Sequence, residues 1–161
     1  MNGPLRLVIS VAEQNLRVYR GGHCIREFAV STAARGMGFV KDSHRTPTGR
    51  FRVCERIGDG LPSGTIFKRR VPVGLWHPGD AAEEDLILTR ILRLEGLDEA
   101  NTNTLERCIY IHGTNREDRL GEPASHGCVR LGNADMIELC GMVSEGDPVE
   151  IQPSSWGLDP R

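Results

Sequence analysis

A thiol and an imidazole can serve as nucleophile and base, and this chain holds both within a short reach. Cys128 lies in Ser125-His126-Gly127-Cys128-Val129-Arg130, and His112-Gly113 stands sixteen residues upstream of the cysteine. A free cysteine is only a few per cent thiolate at neutral pH. Sulfur chemistry therefore calls for a neighbour that lowers the thiol pKa and later protonates a leaving group. Two imidazoles are candidates. His126 precedes Cys128 by two positions on a glycine-containing segment, a placement that can aim its ring away from the sulfur. His112 is distant enough to arrive from another strand, as partners of catalytic cysteines do. The expected pair is Cys128–His112.

Two other readings use the same residues. His112, His126 and Cys128 are all zinc-binding types, but no C-x-x-C or H-E-x-x-H spacing accompanies them. No metal and no cofactor is therefore expected. The other cysteines, Cys24, Cys54, Cys108 and Cys140, have apolar neighbours and are expected to be buried small hydrophobes.

Strands are expected to carry these groups. Leu5–Val11 is apolar, and Asn15–Arg20 alternates, with Leu16 and Val18 opposite Arg17 and Tyr19. Gly21-Gly22 predicts a tight turn into a partner strand over His23–Val30 that carries Ile25 and Phe28. Gly36–Thr48 reads as loop, Gly49–Ile57 as strand, and Gly58–Gly64 as turn. Pro72, Gly74, Pro78 and Gly79 argue against regular structure over Val71–Asp85. Trp76 and His77, in that segment, are expected as lid contacts near the site.

Leu86–Leu94 reads as a buried strand and Glu95–Glu106 as a polar excursion. Cys108–Ile111 is expected as a strand delivering His112 at its end, and Arg116–Ala124 as a polar loop. Asn133 is expected to cap a helix over Ala134–Val143, with Met136, Ile137, Leu139 and Cys140 on or near one face. Pro148–Gln152 reads as a last strand and Ser154–Arg161 as a loosely held tail. Together these predict one mainly β domain over residues 1–161 with one main helix.

The whole composition bounds the function. A chain of 161 residues supports one domain with a core. A net charge of −2 and 5% aromatic residues remove both the electrostatic and the stacking grounds for a nucleic-acid partner. The start of the chain shows no basic and apolar leader, and no apolar run of membrane-spanning length occurs. An odd cysteine count suits a reducing compartment. The sequence expectation is a cytoplasmic protein with no membrane partner and no obligatory protein partner.

At this point the motifs resemble a known family. His112-Gly113, a spacer, and Ser125-His126-Gly127-Cys128-Val129-Arg130 look like the signature of the YkuD-type L,D-transpeptidase catalytic domain. Val30-Ser31-Thr32 followed by Thr46-Pro47-Thr48-Gly49-Arg50-Phe51 is similar to the strands and turn before that site. Arg130-Leu131-Gly132-Asn133-Ala134-Asp135 resembles the start of the following helix, and Gly146-Asp147-Pro148-Val149-Glu150-Ile151 the closing strand. The resemblance covers Leu5 to Ile151.

It implies a β-sandwich or barrel-like fold and a thioester mechanism on peptidoglycan stem peptides. Cys128 would attack the carbonyl of the third, diamino-acid residue of a tetrapeptide. His112 would act as base and then acid, and the Gly113 carbonyl would orient the imidazole. Backbone N–H groups around His126, Gly127 and Cys128 would hold the oxyanion. His126 is then expected as a structural or substrate-contacting residue, and Ser125 as a local hydrogen-bonding residue that holds the turn. Arg130 has two readings. It is either a carboxylate-binding fork or a solvated arginine paired with Asp135 or Glu138.

The resemblance leaves the acceptor open. Water would give an L,D-carboxypeptidase that releases terminal D-alanine from soluble muropeptides during wall recycling, the expected activity. An amine would give an L,D-transpeptidase that cross-links or exchanges D-amino acids. A muropeptide sensor without turnover and a zinc amidase are the readings from other classes.

Overall fold

Alternation of apolar and polar side chains builds the first hairpin of this computed structural model, which describes residues 3–81 and 84–156. Strand β1 (Leu5–Ser10) is buried along almost its whole length, and β2 (Asn15–Arg20) sends Leu16 and Val18 into the core. Gly21 and Gly22 both have positive φ, 57° and 84°. That geometry matches the twist of a two-residue hairpin and leads into β3 (His23–Ala29). Because β3 ends the sheet, only its Phe28 is buried, and Ile25 stays exposed.

Seven further strands follow: β4 (Gly49–Ile57), β5 (Thr65–Lys68), β6 (Val71–Leu75), β7 (Ile87–Gly96), β8 (Tyr110–Gly113), β9 (Val129–Leu131) and β10 (Pro148–Gln152). One helix, α1 (Asn133–Met142), lies between the last two. The sheet runs β3-β2-β1-β10-β4-β7-β5-β6, with β8 on β7 and β9 on β8. The pairs β1–β10 and β8–β9 are parallel, and the remainder are antiparallel. Met136, Leu139 and Cys140 of α1 join Leu7, Leu16, Phe51, Leu92, Ile111 and Leu131 in one core. The architecture is the expected mainly β one, a mixed sheet with one α-helix among the described residues packed against it.

Several local expectations are corrected. Residues Val71–Leu75 form β6, paired with β5 through a turn at Arg69 and Arg70, both with positive φ. Pro72 is tolerated because β6 is the outermost strand and the register slips between Ile66 and Phe67. An edge strand does not need every N–H in a ladder. His112 lies inside β8 rather than beyond it, since Cys108 has a φ of 56° and the strand starts at Tyr110.

Asn133 is the first helical residue, not the cap. The cap position is Gly132, without a side-chain cap bond, and Glu117 Oε2 accepts the Asn133 N–H at 2.7 Å. A carboxylate from a distant loop thus does at the helix start what a capping side chain would do. Ile137 points outward, 37% exposed. Of the four cysteines expected in the core only Cys140 is there. Cys54 is half-buried, while Cys24 on the edge strand and Cys108 in its turn are exposed, and all are free thiols.

The tail is tied down as far as Trp156, whose ring takes the Arg17 guanidinium at 4.3 Å, and Ser154 O accepts from Ser10 Oγ at 2.7 Å. The rest of the expected tail lies outside the described residues. Among the described residues no helix is long and apolar enough to cross a membrane.

Candidate active site

The parallel pair β8–β9 places the chemistry. His112 is in register with Arg130, and Ile111 with Val129. Side chains alternate along a strand, so Ile111, Val129 and Leu131 enter the core. Tyr110 and His112 of β8 then share the opposite face with Arg130 of β9 and Cys128, which immediately precedes β9. The hairpin β5–β6 adds Phe67 to this face, packed with Ile91, Tyr110 and Cys128.

His112 is buried, and its Nδ1 lies 2.6 Å from the Gly113 carbonyl oxygen. A carbonyl only accepts, so Nδ1 carries the proton and Nε2 presents a lone pair. Burial pushes the His112 pKa below 6.5; the Gly113 carbonyl and Asp85 oppose that shift, and Arg130 adds to it. Gly113 has no room for a side chain. A Cβ there would meet Asn133 Oδ1 and, at 2.7 Å, the Leu88 carbonyl oxygen.

Cys128 is half-buried. Its Sγ accepts the Tyr110 N–H at 3.3 Å and donates to the Cys108 carbonyl at 3.4 Å. Among the described residues no hydrogen bond joins Sγ to His112 or His126. Burial pushes the thiol up to about 12, against the Tyr110 N–H, which lowers it. The sequence expectation of an imidazole-lowered thiol pKa is therefore reversed. Burial disfavours the charged form of each group.

The turn before the cysteine is held at both ends. Ser125 Oγ donates to the Cys128 carbonyl at 2.6 Å and accepts the Gly127 N–H at 3.2 Å. The Ser125 N–H bonds Thr32 O, the Ala34 N–H bonds Ser125 O, and Thr46 Oγ1 donates to Gly127 O at 2.9 Å. Gly127 has φ 128°, which only glycine adopts readily. Thr46 stands in the Thr-Pro-Thr-Gly segment that carried the family likeness, but its hydrogen-bonding role has no signature in the sequence.

His126 is exposed, and among the described residues no hydrogen bond joins it to the thiol. Its Nδ1 is 3.6 Å from Asp85 Oδ2, and its ring meets His44 edge-on with centroids 5.8 Å apart. Arg130 is neither solvated nor paired with Asp135 or Glu138. It is 3% exposed, and its Nη2 lies 2.6 Å from Asp85 Oδ2, while Glu138 pairs with Arg26. Asp85 thus gathers Arg130 and His126 at one wall of a cleft of about 260 Å³, which Arg116, Arg119 and Glu84 also line. No sequence signal pointed to Asp85, since its partners come from a distant turn. Trp76 borders clefts with Leu75 and Leu86 and with Asn133 and Pro78. No three or more His, Cys, Asp or Glu among the described residues converge as metal ligands.

The YkuD model of L,D-transpeptidase catalytic domains matches residues 4–151. A YkuD protein of Bacillus licheniformis is 23% identical over 150 residues, covering 93% of this chain and 67% of that protein. The Bacillus subtilis YkuD protein is 46% identical over a shorter stretch of 41 residues. Among solved structures, an L,D-transpeptidase from Mycobacterium smegmatis matches 94% of this chain at 18% identity with a TM-score of 0.58. One from Xylanimonas cellulosilytica matches 94% at 19% identity with a TM-score of 0.60. The chain spans 59% and 61% of these two structures. By the match across nearly its whole length, this chain belongs to the YkuD family of L,D-transpeptidase catalytic domains.

Proposed function

We propose that the chain transfers the acyl group of a peptidoglycan stem tetrapeptide through a Cys128 thioester, with water as the main acceptor. The reading rests on one observation above all: the Nδ1–H tautomer of His112, locked by Gly113 O, with Nε2 presented on the face that Cys128 shares. Nε2 takes the Sγ proton as Sγ attacks the third-residue carbonyl, so the thiolate forms only during attack. The Gly127 N–H is engaged by Ser125, which leaves the His126 and Cys128 amides to receive the oxyanion. One good donor contributes about 3 kcal/mol to such a step. Nε2–H then protonates the departing D-alanine amine, and the same nitrogen activates water against the thioester.

Arg130 and His126 border a cleft that Arg116 and Arg119 also line, and this wall suits an anionic stem peptide. Water as acceptor goes with a reducing compartment, where soluble muropeptides are met. The exposed free thiols Cys24 and Cys108 suit such a location, and the cytoplasm is the proposed site of action. Incubation with a muropeptide tetrapeptide, with and without a D-amino acid, and mass analysis of the products tests this. Tripeptide and D-alanine are expected. Cross-linked or exchanged products would make the chain a transpeptidase, and binding without any product would make it a sensor.

A further inference from the structure

Behind the His112–Gly113 segment lies a buried polar relay whose polarity is set at every link. The Gly64 N–H donates to Thr89 Oγ1 at 3.0 Å, so the Thr89 hydroxyl proton goes to Asn133 Oδ1 at 2.6 Å. Asn133 Nδ2 donates to the Thr114 carbonyl at 2.9 Å. Thr89, Thr114 and Asn133 are all buried. Thr89 sits at φ 77° where β7 shifts register between Leu88 and Ile91, directly behind the Leu88–Gly113 pair. A β-branched residue with positive φ is a true outlier, and such strain persists only where its surroundings over-determine it. Asn133 Oδ1 also occupies the space that a Gly113 side chain would need. The relay therefore presses on Gly113 from one side and ties Thr114 from the other, bracketing the peptide whose carbonyl receives His112 Nδ1–H.

We infer that Thr89 and Asn133 are positioning residues for the catalytic imidazole: they aim the Gly113 carbonyl and so select the His112 tautomer that leaves Nε2 as base. This rests on the reading of His112 as the base. Neither residue touches the substrate. Their part is to keep the acceptor of Nδ1–H fixed, as the contacts that orient metal-bound histidines do, whose loss costs about 10–100-fold.

The test compares Thr89→Val, which keeps the branched shape and removes the hydroxyl, with Thr89→Ser, which keeps the hydroxyl. Asn133→Asp, which keeps the shape and removes the donor to Thr114, gives a second route should Thr89→Val fail to fold. Two readouts apply: imidazole ¹⁵N shifts of His112, which report the tautomer, and the rate of Cys128 acetylation by p-nitrophenyl acetate, followed by peptide mass across pH. Thr89→Val and Asn133→Asp are expected to mix the tautomers and slow acetylation about 10–100-fold, with Thr89→Ser restoring most of both. A folded Thr89→Val or Asn133→Asp with the wild-type tautomer overturns the inference, even where its melting temperature falls. His112→Ala, run alongside, separates the two ideas. Wild-type acetylation in that variant overturns the role of His112 as base, while the tautomer still reports on the relay.

Discussion

Titrating the Cys128 thiol puts the electrostatics of the site to a direct test. A thiol pushed from 9.0 up to about 12 holds roughly a thousandth of its ordinary thiolate at any pH below 9. The first cause is burial under the β5–β6 hairpin, where Phe67 packs with Tyr110 against Cys128; the Tyr110 N–H to Sγ opposes it only in part. Burial also disfavours the His112 imidazolium that would offset this. Thiolate absorbance near 240 nm, taken as wild type minus Cys128→Ser, should therefore show no Cys128 ionisation between pH 6 and 9. Turnover at neutral pH should still proceed by proton transfer to Nε2 during attack. A difference midpoint below pH 8 would mean a resting thiolate–imidazolium pair and would refute the burial argument. The same shifts set the stability profile. The Cys128 contribution is whole below pH 9 and is lost as pH rises toward 12. The His112 contribution is whole above pH 6.5 and is lost as pH falls below it.

Four further outcomes are expected. Gly113→Ala should lose the chemical step and lower the melting temperature, because its Cβ meets Asn133 Oδ1 and the Leu88 carbonyl; overpacking of this kind costs about 1–3 kcal/mol, and a fully active, equally stable variant would contradict it. Arg130→Ala should destabilise by about 3 kcal/mol in denaturant titration, since it strands the Asp85 carboxylate, and Asp85→Asn added to it should recover part of the loss. His126→Ala should raise KM more than it lowers kcat, while His112→Ala should lower kcat about 10²–10⁴-fold; steady-state kinetics showing the reverse would reassign the base. Leu139→Ala, in the fully buried face of α1, should cost about 2–5 kcal/mol by chemical denaturation and leave the Cys128 pH profile unchanged.

Much of this protein was legible in its sequence where the signal is local. The alternation in Asn15–Arg20 and Gly49–Ile57 reports which side chains enter the core, because side-chain direction in a strand repeats every two residues. Gly21-Gly22 specifies its turn because both positions need positive φ. The Cys128 motif and the upstream His112-Gly113 identified the family, and Gly113 O does hold Nδ1. What the sequence hid are properties of partners distant along the chain. Pro72 and Gly74 look like breakers until the strand is seen to be the sheet edge, where a missing N–H leaves no ladder broken. Asn133 looks like a helix cap, but Thr89 and Thr114 claim its side chain and Glu117 supplies the cap. Arg130 looks exposed until Asp85 covers it. The direction of the Cys128 pKa is the sharpest case, because a thiol near an imidazole suggests a lowered value by residue type alone. Only the packed structure shows the half-buried sulfur with its bonds directed to Tyr110 and Cys108, and burial depends on everything around a group rather than on its neighbours in sequence.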